Sequence, residues 1–367
     1  MHLLPVLFLL SDACIDPLVV KLPPHAASLV VDGLITDAPG PYQVKLFYAN
    51  LDTATLKRPK FEGGATVWII DDSGQSELLT EVDTAKGTYQ TSTAGIRGQI
   101  GKSYYLKIVT KDQTEYQSKP QILSPAGEID RLYVEYKRNA ASVLHGKKLV
   151  DAFSILVDAH GPPEGPNFFR WRWKGTYKGI TFPMLRTIPN TWPPVPDPEV
   201  CSGYITDGVF IFKRRECTCC ICWTNEIGSN AVVSDNSFFG DQAFSRVEVA
   251  RLPITFQRFF EKYYIEVEQS SVSKEVYNFW KLAQAQQRGT NNLFQPNTVK
   301  VKGNMICVTD PDKELLGVFS VSAITKKTLF IKKEEVLLPI PPLDTIPYNC
   351  IESLQGTGTT TKKPDFW

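Results

Sequence analysis

The sequence has little histidine, almost no net charge and no long apolar run after its first residues. No stretch beyond residue 13 approaches the roughly 20 consecutive apolar residues that a transmembrane helix needs. Forty basic residues against 39 acidic residues leave a net charge of +1, so the charge balance gives no reason to expect nucleic acid as a partner. We therefore expect neither a multi-helix membrane protein nor a nucleic-acid-binding protein.

The motifs of common catalytic and metal sites are also missing. The four histidines form no H-E-x-x-H pair, and the chain has neither a G-x-S-x-G elbow nor a P-loop. The stretches DDSG at 71–74 and DPD at 310–312 lack the alternating oxygen ligands of an EF-type calcium loop and are typical of turns. We expect no catalytic residue, no metal and no cofactor, although acids on different strands could still meet in space.

Short strand-like segments are abundant, and they predict a mainly β fold. The 367 residues, 43% of them hydrophobic, are enough for two domains. About seven alternating runs between residues 28 and 124 indicate an immunoglobulin-like or transthyretin-like β-sandwich. Ser-Pro-Ala-Gly at 124–127 marks its end, and residues 125–354 then form a larger β-rich domain that contains disulfides. The polar residues 355–367 are expected to be a flexible tail unless Phe366 and Trp367 dock on the rest of the protein.

One segment of the second domain has the period of an α-helix. In SVSKEVYNFWKLAQAQQRG, at 271–289, apolar residues recur at helical spacing from Val272 and Val276 to Phe279 or Trp280. A serine stands at the expected N-cap, and a glycine closes the segment. We expect this one conspicuous helix to pack its aromatic stripe against a sheet.

The start of the chain has features of a lipoprotein signal. The apolar segment 3–10 is too short to span a bilayer but suits the hydrophobic region of a signal peptide. Ala13 before Cys14 fits a lipoprotein cleavage site, whereas the two residues before Ala13 do not. We predict a signal peptide at 1–13, lipidation of Cys14, and a linker at 14–27. A structural first strand and a misplaced start codon are the alternatives.

Five of the eight cysteines lie between residues 201 and 222. Zinc is a poor explanation, because adjacent cysteines on an extended chain point to opposite faces and no paired C-x-x-C knuckles are present. In an exported protein such cysteines favour disulfides, with the pairing left open. The disulfide candidates are Cys201, Cys217, Cys219, Cys220, Cys222 and Cys350. Cys307, within NMICV, is the candidate for a buried free thiol.

The stretch FFRWRWK at 168–174 offers the best candidate binding surface. On a strand its aromatic residues share one face and its basic residues share the other. Either the aromatic face is buried under a solvated basic face, or it is exposed beside the proline-rich loop and offers a platform for sugars or a partner. The residues of this candidate surface are Phe169, Trp171, Trp173 and Trp192. The basic run at 213–215 is either a solvated strand end or a contact for anionic lipid A headgroups.

Three separated blocks of sequence carry a resemblance to a known family. They lie at 29–46, beginning LVVDGLIT, at 263–280, beginning YYIEVEQS, and at 293–331, beginning LFQPNTVK. In this order they resemble a Bacteroidota family of outer-membrane lipoproteins, a domain of unknown function whose genes commonly lie beside those of TonB-dependent receptors. The resemblance covers roughly residues 14–352. In that family a start resembling CIDP follows a signal peptide, which strengthens the prediction for Cys14.

The resemblance implies a noncatalytic, lipid-anchored protein of the outer membrane. The cell surface is expected ahead of the periplasmic face. The protein would act as an accessory or binding subunit of a TonB-dependent transporter or another outer-membrane β-barrel complex, with a ligand that the sequence does not identify. An exported enzyme acting on polysaccharide is one alternative, and a structural or assembly factor is another.

Three short triplets resemble the O-glycosylation site of the same phylum, in which Asp precedes Ser or Thr and then an aliphatic residue, Met or Thr. The candidate acceptors are Thr53, Thr84 and Thr345. Each lies in an expected turn or proline-rich segment, where a glycan could be accommodated. The alternative is that Asp-Thr is ordinary turn chemistry.

Overall fold

The computed structural model describes residues 28–49, 60–143, 148–163, 168–237, 243–289, 301–337, 339–340, 345–354, 356 and 358–367. The predictions for the signal peptide, Cys14 and Thr53 lie outside the described residues. Strands dominate and helices are few, so the expectation of a mainly β, sandwich-like fold is confirmed. In the described part of the chain, no helix combines the length and apolar character needed to cross a bilayer.

The first ten strands follow closely on one another along the chain. They are β1 (Ser28–Thr36), β2 (Gln43–Ala49), β3 (Lys60–Phe61), β4 (Thr66–Asp71), β5 (Ser76–Leu78), β6 (Thr80–Asp83), β7 (Thr88–Gln90), β8 (Ser103–Val109), β9 (Glu115–Ser118) and β10 (Gln121–Ile122). Alternate residues point inward, as Leu106 and Ile108 do on β8. Two six-stranded sheets share this core and form the first region of the molecule, the N-terminal sandwich.

The remaining strands build most of the second region. They are β11 (Glu128–Val143), β12 (Lys148–His160), β13 (Phe168–Ile180), β14 (Tyr204–Thr206), β15 (Ile211–Lys213), β16 (Ile221–Ile227), β17 (Val232–Asp235), β18 (Ala243–Pro253), β19 (Lys262–Ser271), β20 (Met305–Cys307), β21 (Leu315–Ser322), β22 (Ile324–Lys332) and β23 (Gly358–Thr360). The sheet β11-β12-β18 and the sheet β22-β19-β13-β16-β23, with β17 beside β13, share a second core. The strands β14 and β15 form a separate hairpin.

Two strands from late in the sequence complete the N-terminal sandwich. The predicted boundary near residue 124 places these strands in the second domain instead. β21 pairs in parallel with β1, and β20 pairs with β9. Gly317 has a φ of +94°, and a side chain there would clash with the backbone of Val31, so the parallel contact requires glycine. A parallel neighbour needs a long crossover connection, and here the connection from β1 to β21 contains the rest of the sandwich and most of the second region.

The expected helix is present as α1 (Lys274–Gly289). The Ser273 hydroxyl caps it by accepting a hydrogen bond from the Val276 amide at 3.3 Å. Val276 is fully buried in a cluster with Val318 of β21 and with Phe168 of β13. The helix therefore packs on strands from both regions at their junction.

The six cysteines expected to form disulfides are paired as Cys201–Cys219, Cys217–Cys220 and Cys222–Cys350. Cys350 belongs to the short helix α2 (Cys350–Ser353). Cys307 is buried and unpaired, as the sequence indicated. The first two disulfides close loops in the segment that precedes β16, and the third ties β16 to the end of the chain.

The described part of the tail lies against the sheet, and Phe366 and Trp367 both dock, which is the exception allowed in the prediction of a flexible tail. β23 pairs with β16. Phe366 stacks on Tyr264 with ring centroids 4.2 Å apart, and Trp367 meets Phe330 edge-on at 6.0 Å. Strand pairing by β23 and two aromatic contacts together hold the described tail on the sheet.

Candidate functional site

A cleft of about 800 Å³ opens in the second region where β16 ends. The turn at 227–231 forms one wall and residues 248–253 of β18 form the other. The remaining described lining residues are Trp173, Glu226, Val232, Arg258, Gln284 and Gly356. The Gln284 side-chain amide donates to the Ala231 carbonyl at 2.7 Å, so helix α1 holds the turn in place.

The Glu226 carboxylate and the Arg258 guanidinium form the central ion pair of the cleft. Arg258 donates from Nη2 at 2.7 Å and from Nε at 3.1 Å, and the Tyr263 hydroxyl donates to Glu226 at 2.8 Å. Burial, aided by the Glu226 charge, raises the pKa of Tyr263 well above its ordinary value, so the phenol remains a donor. Burial lowers the pKa of Arg258, but its contacts with Glu226 outweigh this effect and the net shift is upward.

Sheet packing fixes this pair. Tyr177 of β13 lies opposite Tyr263 of β19, and their rings stack with centroids 6.2 Å apart. Gly175 leaves room for the Tyr263 ring, because a side-chain carbon at this position would overlap the phenolic oxygen. The tyrosine hydroxyl is thereby aimed at the Glu226 carboxylate.

A second ion pair lies at the rim of the cleft. Arg251 donates to Glu248 at 2.6 Å and 2.8 Å, and both side chains are partly exposed. Such an exposed pair contributes little to stability, typically below about 1 kcal/mol. It adds charged hydrogen-bonding groups to the opening of the cleft.

Trp173 supplies an aromatic surface to the same cleft. The Gly228 amide donates to the Trp173 carbonyl at 3.1 Å, and any side chain at 228 would overlap the indole. The cleft thus combines an indole, two arginine–carboxylate pairs and backbone groups of a turn. This combination suits a polar ligand with a flat apolar face, such as a sugar.

Both carboxylates of the cleft are engaged by neighbouring side chains. Each of them already accepts strong hydrogen bonds from an arginine, and Glu226 also accepts one from Tyr263. Charge-assisted hydrogen bonds of this kind are strong and hold both carboxylates in fixed positions at the cleft.

Of the four aromatic residues in the candidate binding surface, Trp173 alone lines the cleft. The proposal for Phe169 and Trp171 is wrong, because both are fully buried, with ring centroids 5.1 Å and 6.1 Å from Phe244 of β18. Trp192 is 92% exposed on the separate loop at 187–196. The four residues therefore do not form one platform.

The basic face of the same strand is only partly solvated. Arg170 lies beneath helix α1 with its guanidinium carbon 3.5 Å from the centre of the Trp280 ring, and burial lowers the pKa of Arg170 to about 10. Arg172 is paired with Glu268 of β19. Helix α1 covers Arg170, and the alternation of residues along β13 gives no sign of this contact.

The cleft residues other than Trp173 were missed by sequence reasoning. Glu226, Glu248, Arg251, Arg258 and Gln284 come from four separate elements and loops and form no local motif. The only available signal was an acid at the end of a strand before a Gly-Ser-Asn turn.

Two described groups have metal-ligating side chains close together. In the first, Cys201 and Cys219 are consumed by their mutual disulfide. In the second, His160 Nδ1 lies 2.9 Å from Asp130, near Glu128, on an exposed strand edge. Neither group gives the described part of the chain a persuasive metal centre.

The glycosylation candidates have different settings. Thr84 begins a 3-10 helix (Thr84–Lys86) directly after Asp83, whose carboxylate pairs with Lys86 at 3.0 Å. Thr345 is exposed. These positions are compatible with the prediction, which stays untested.

Comparison with known proteins gives one informative match. The model of a family described as a domain of unknown function (DUF4249) matches residues 15–328. Among curated proteins, no significant match is found. One matching solved structure, the chicken interferon gamma receptor alpha chain, is 8% identical over 66% of this chain and 88% of that chain, with a TM-score of 0.17. That score is too low to carry an argument.

Proposed function

Because this chain belongs to the DUF4249 family of domains of unknown function, we propose that it is a noncatalytic lipoprotein of a Bacteroidota outer membrane. In this proposal Cys14 carries the lipid, and the protein is anchored on the cell surface in preference to the periplasmic face. The protein acts as an accessory or binding subunit of a TonB-dependent transporter or another outer-membrane β-barrel complex. The resemblance of the three sequence blocks supports this assignment.

The cleft is the observation that carries the binding role. It places Trp173 beside the Glu226–Arg258 pair, and both carboxylates at the cleft are engaged by arginines. Such groups can orient a polar ligand without reacting with it. The cleft thus supports ligand capture by a β-rich domain.

Affinity purification from native outer membranes tests the partnership and the anchor together. Mass spectrometry is expected to find a β-barrel protein in the complex and an acylated peptide that begins at Cys14. Recovery of a soluble, unacylated monomer without a barrel protein would contradict the proposal.

A ligand screen tests the binding role separately. An oligosaccharide that binds the wild type is expected to lose at least about tenfold in affinity with Trp173→Ala, because the indole would form the apolar platform. Trp192→Ala is the matched control, since Trp192 does not line the cleft. Equal losses in both variants would argue against the cleft as the binding site.

An exported enzyme is the second candidate, because Glu226 and Glu248 both line the cleft. A pair of carboxylates is the usual equipment for glycoside hydrolysis. The test measures hydrolysis of a panel of polysaccharides by the wild type and by the variants Glu226→Gln and Glu248→Gln. Hydrolysis by the wild type that disappears in both variants would favour the enzyme.

A further inference from the structure

The hairpin of β14 and β15 exposes a cluster of apolar side chains. Val209 and Phe210 at its turn are 68% and 65% exposed, and Ile205 and Phe212 on its strands are 46% and 45% exposed. Ile205 and Phe212 are cross-strand partners, so their side chains share one face. Scattered apolar residues are ordinary on a surface, but four on one short hairpin mark an interaction surface.

The hairpin is held in shape by its own hydrogen bonds. The Asp207 carboxylate accepts from the amides of Val209 at 2.9 Å and Phe210 at 2.8 Å, and Gly208 takes a φ of +96°. At the base, the Gly203 carbonyl accepts from the amide of Arg214 at 2.8 Å, and the Cys201–Cys219 disulfide brackets the hairpin. The apolar side chains are therefore presented on a fixed support.

Basic residues follow immediately on the apolar turn. Lys213, Arg214 and Arg215 are all exposed. Lys213 is paired with Glu216 at 2.6 Å, and Asp207 is occupied in the turn. Within the described ranges, no carboxylate lies at salt-bridge distance from Arg214 or Arg215. The hairpin thus has an apolar tip and a cationic base.

The neighbouring loop adds a second exposed apolar tip. An isolated β-bridge between Thr187 and Pro196 closes this loop, and Trp192 lies in a bend between the two residues, 92% exposed. The Arg215 guanidinium donates to the Val200 carbonyl at 2.8 Å, so the basic run is tied to the segment that follows this loop. Val200 is itself 81% exposed.

We propose that this hairpin is a membrane-docking surface. Val209 and Phe210 enter the interfacial layer of a bilayer, while Arg214 and Arg215 contact anionic lipid headgroups. An anionic bilayer has a negative surface above an apolar interior, which is the complement of a cationic base behind an apolar tip. Aromatic residues such as Trp192 and Phe210 suit this layer. The contact does not depend on lipidation of Cys14.

Vesicle sedimentation tests the proposal with the full chain carrying Cys14→Ser, so that no acyl chain contributes. The protein is expected to sediment with vesicles of phosphatidylcholine and phosphatidylglycerol but much less with phosphatidylcholine alone. Phe210→Asp is expected to weaken binding at least about tenfold, since it places a charge in the apolar layer. The double variant Arg214→Glu, Arg215→Glu is expected to weaken vesicle binding by a similar factor. The remaining binding should no longer depend on salt concentration.

Leu149→Asp is the matched control, because Leu149 is 62% exposed on β12, outside the hairpin, and its substitution should leave vesicle binding unchanged. Near-ultraviolet circular dichroism checks that each variant keeps its fold. Equal binding by Phe210→Asp and the parent chain would overturn the proposal. Failure of the parent chain to bind anionic vesicles would also overturn it and would direct attention to a protein partner for the hairpin.

Discussion

The two regions of this chain are stabilised by different means. The N-terminal sandwich has one continuous apolar core, to which β20 and β21 return from late in the sequence, and its one described cysteine, Cys307, is unpaired. The second region contains all three disulfides, and two of them lie in the segment that exposes Trp192, Val200 and Phe210.

The difference shows where crosslinks are needed. A segment that leaves large apolar side chains in water gains little from burial, so its conformation depends on local covalent links and backbone hydrogen bonds. The sandwich buries most of its apolar residues in one core, and none of the disulfides of the described residues lies in it. At the junction of the two regions, helix α1 packs against β21 of the sandwich and against strands of the second region.

The largest expected effect comes from Phe319→Ala in β21. Phe319 is fully buried in the sandwich core, so its truncation should lower the free energy of unfolding by about 4 kcal/mol. Urea denaturation measures the loss, and hydrogen exchange should rise first in β1 and β2. Phe210→Ala is the matched control with almost no expected effect, since that ring is exposed. Increased exchange confined to the second region would contradict the assignment of β21 to the sandwich.

Removal of the Cys222–Cys350 disulfide should have the next largest effect. It links residues 128 apart in sequence, and the double change to serine should lower the free energy of unfolding by about 3 kcal/mol, because the unfolded chain gains freedom. Hydrogen exchange should rise in β16 and β23, while the sandwich keeps its protection. Cys307→Ser changes a cysteine without removing a crosslink, and it should affect the sandwich instead. Identical exchange patterns would show that the two regions unfold as one unit.

A smaller loss is expected when the cleft ion pair is broken. Arg258→Met leaves the half-buried Glu226 without its cation and should cost about 2 kcal/mol. Lys178→Met is the matched control, since it removes the more exposed Lys178–Glu261 pair and should cost under about 1 kcal/mol. Thermal unfolding compares them, and equal losses would mean that the cleft pair is no more than a surface contact.

The smallest effect concerns Tyr263 and pH. Tyr263→Phe loses one hydrogen bond to the Glu226 carboxylate and should cost about 1.5 kcal/mol at neutral pH. The raised pKa of Tyr263 favours the folded state below the unfolded pKa near 10, and this contribution is lost as pH rises above that value. The variant should therefore lose stability less steeply than the wild type between about pH 10 and 12. Urea denaturation measures the free energy of unfolding of both proteins across this pH range. An equal decrease in the variant and the wild type would contradict a buried Tyr263 phenol.

Much of the fold could be predicted because its signals are local. Strand alternation, the α1 period with its Ser273 cap, and the exclusion of Cys307 from the disulfide set all follow from neighbouring residues. The extent of the sandwich could not be predicted in this way. LLGVFSVS reads as a strand, but nothing within it specifies a parallel partner almost 290 residues earlier in the sequence.

The sequence by itself determined the mainly β class, the helix and the set of cysteines that pair, since these depend on periodicity and residue chemistry. Only the tertiary structure decided that Trp171 is core while Trp173 lines a cleft, that Arg170 lies beneath Trp280, and that Glu226 meets Arg258. The reason is physical. Alternation assigns a residue to a face, but what covers that face depends on elements that lie far away in the chain.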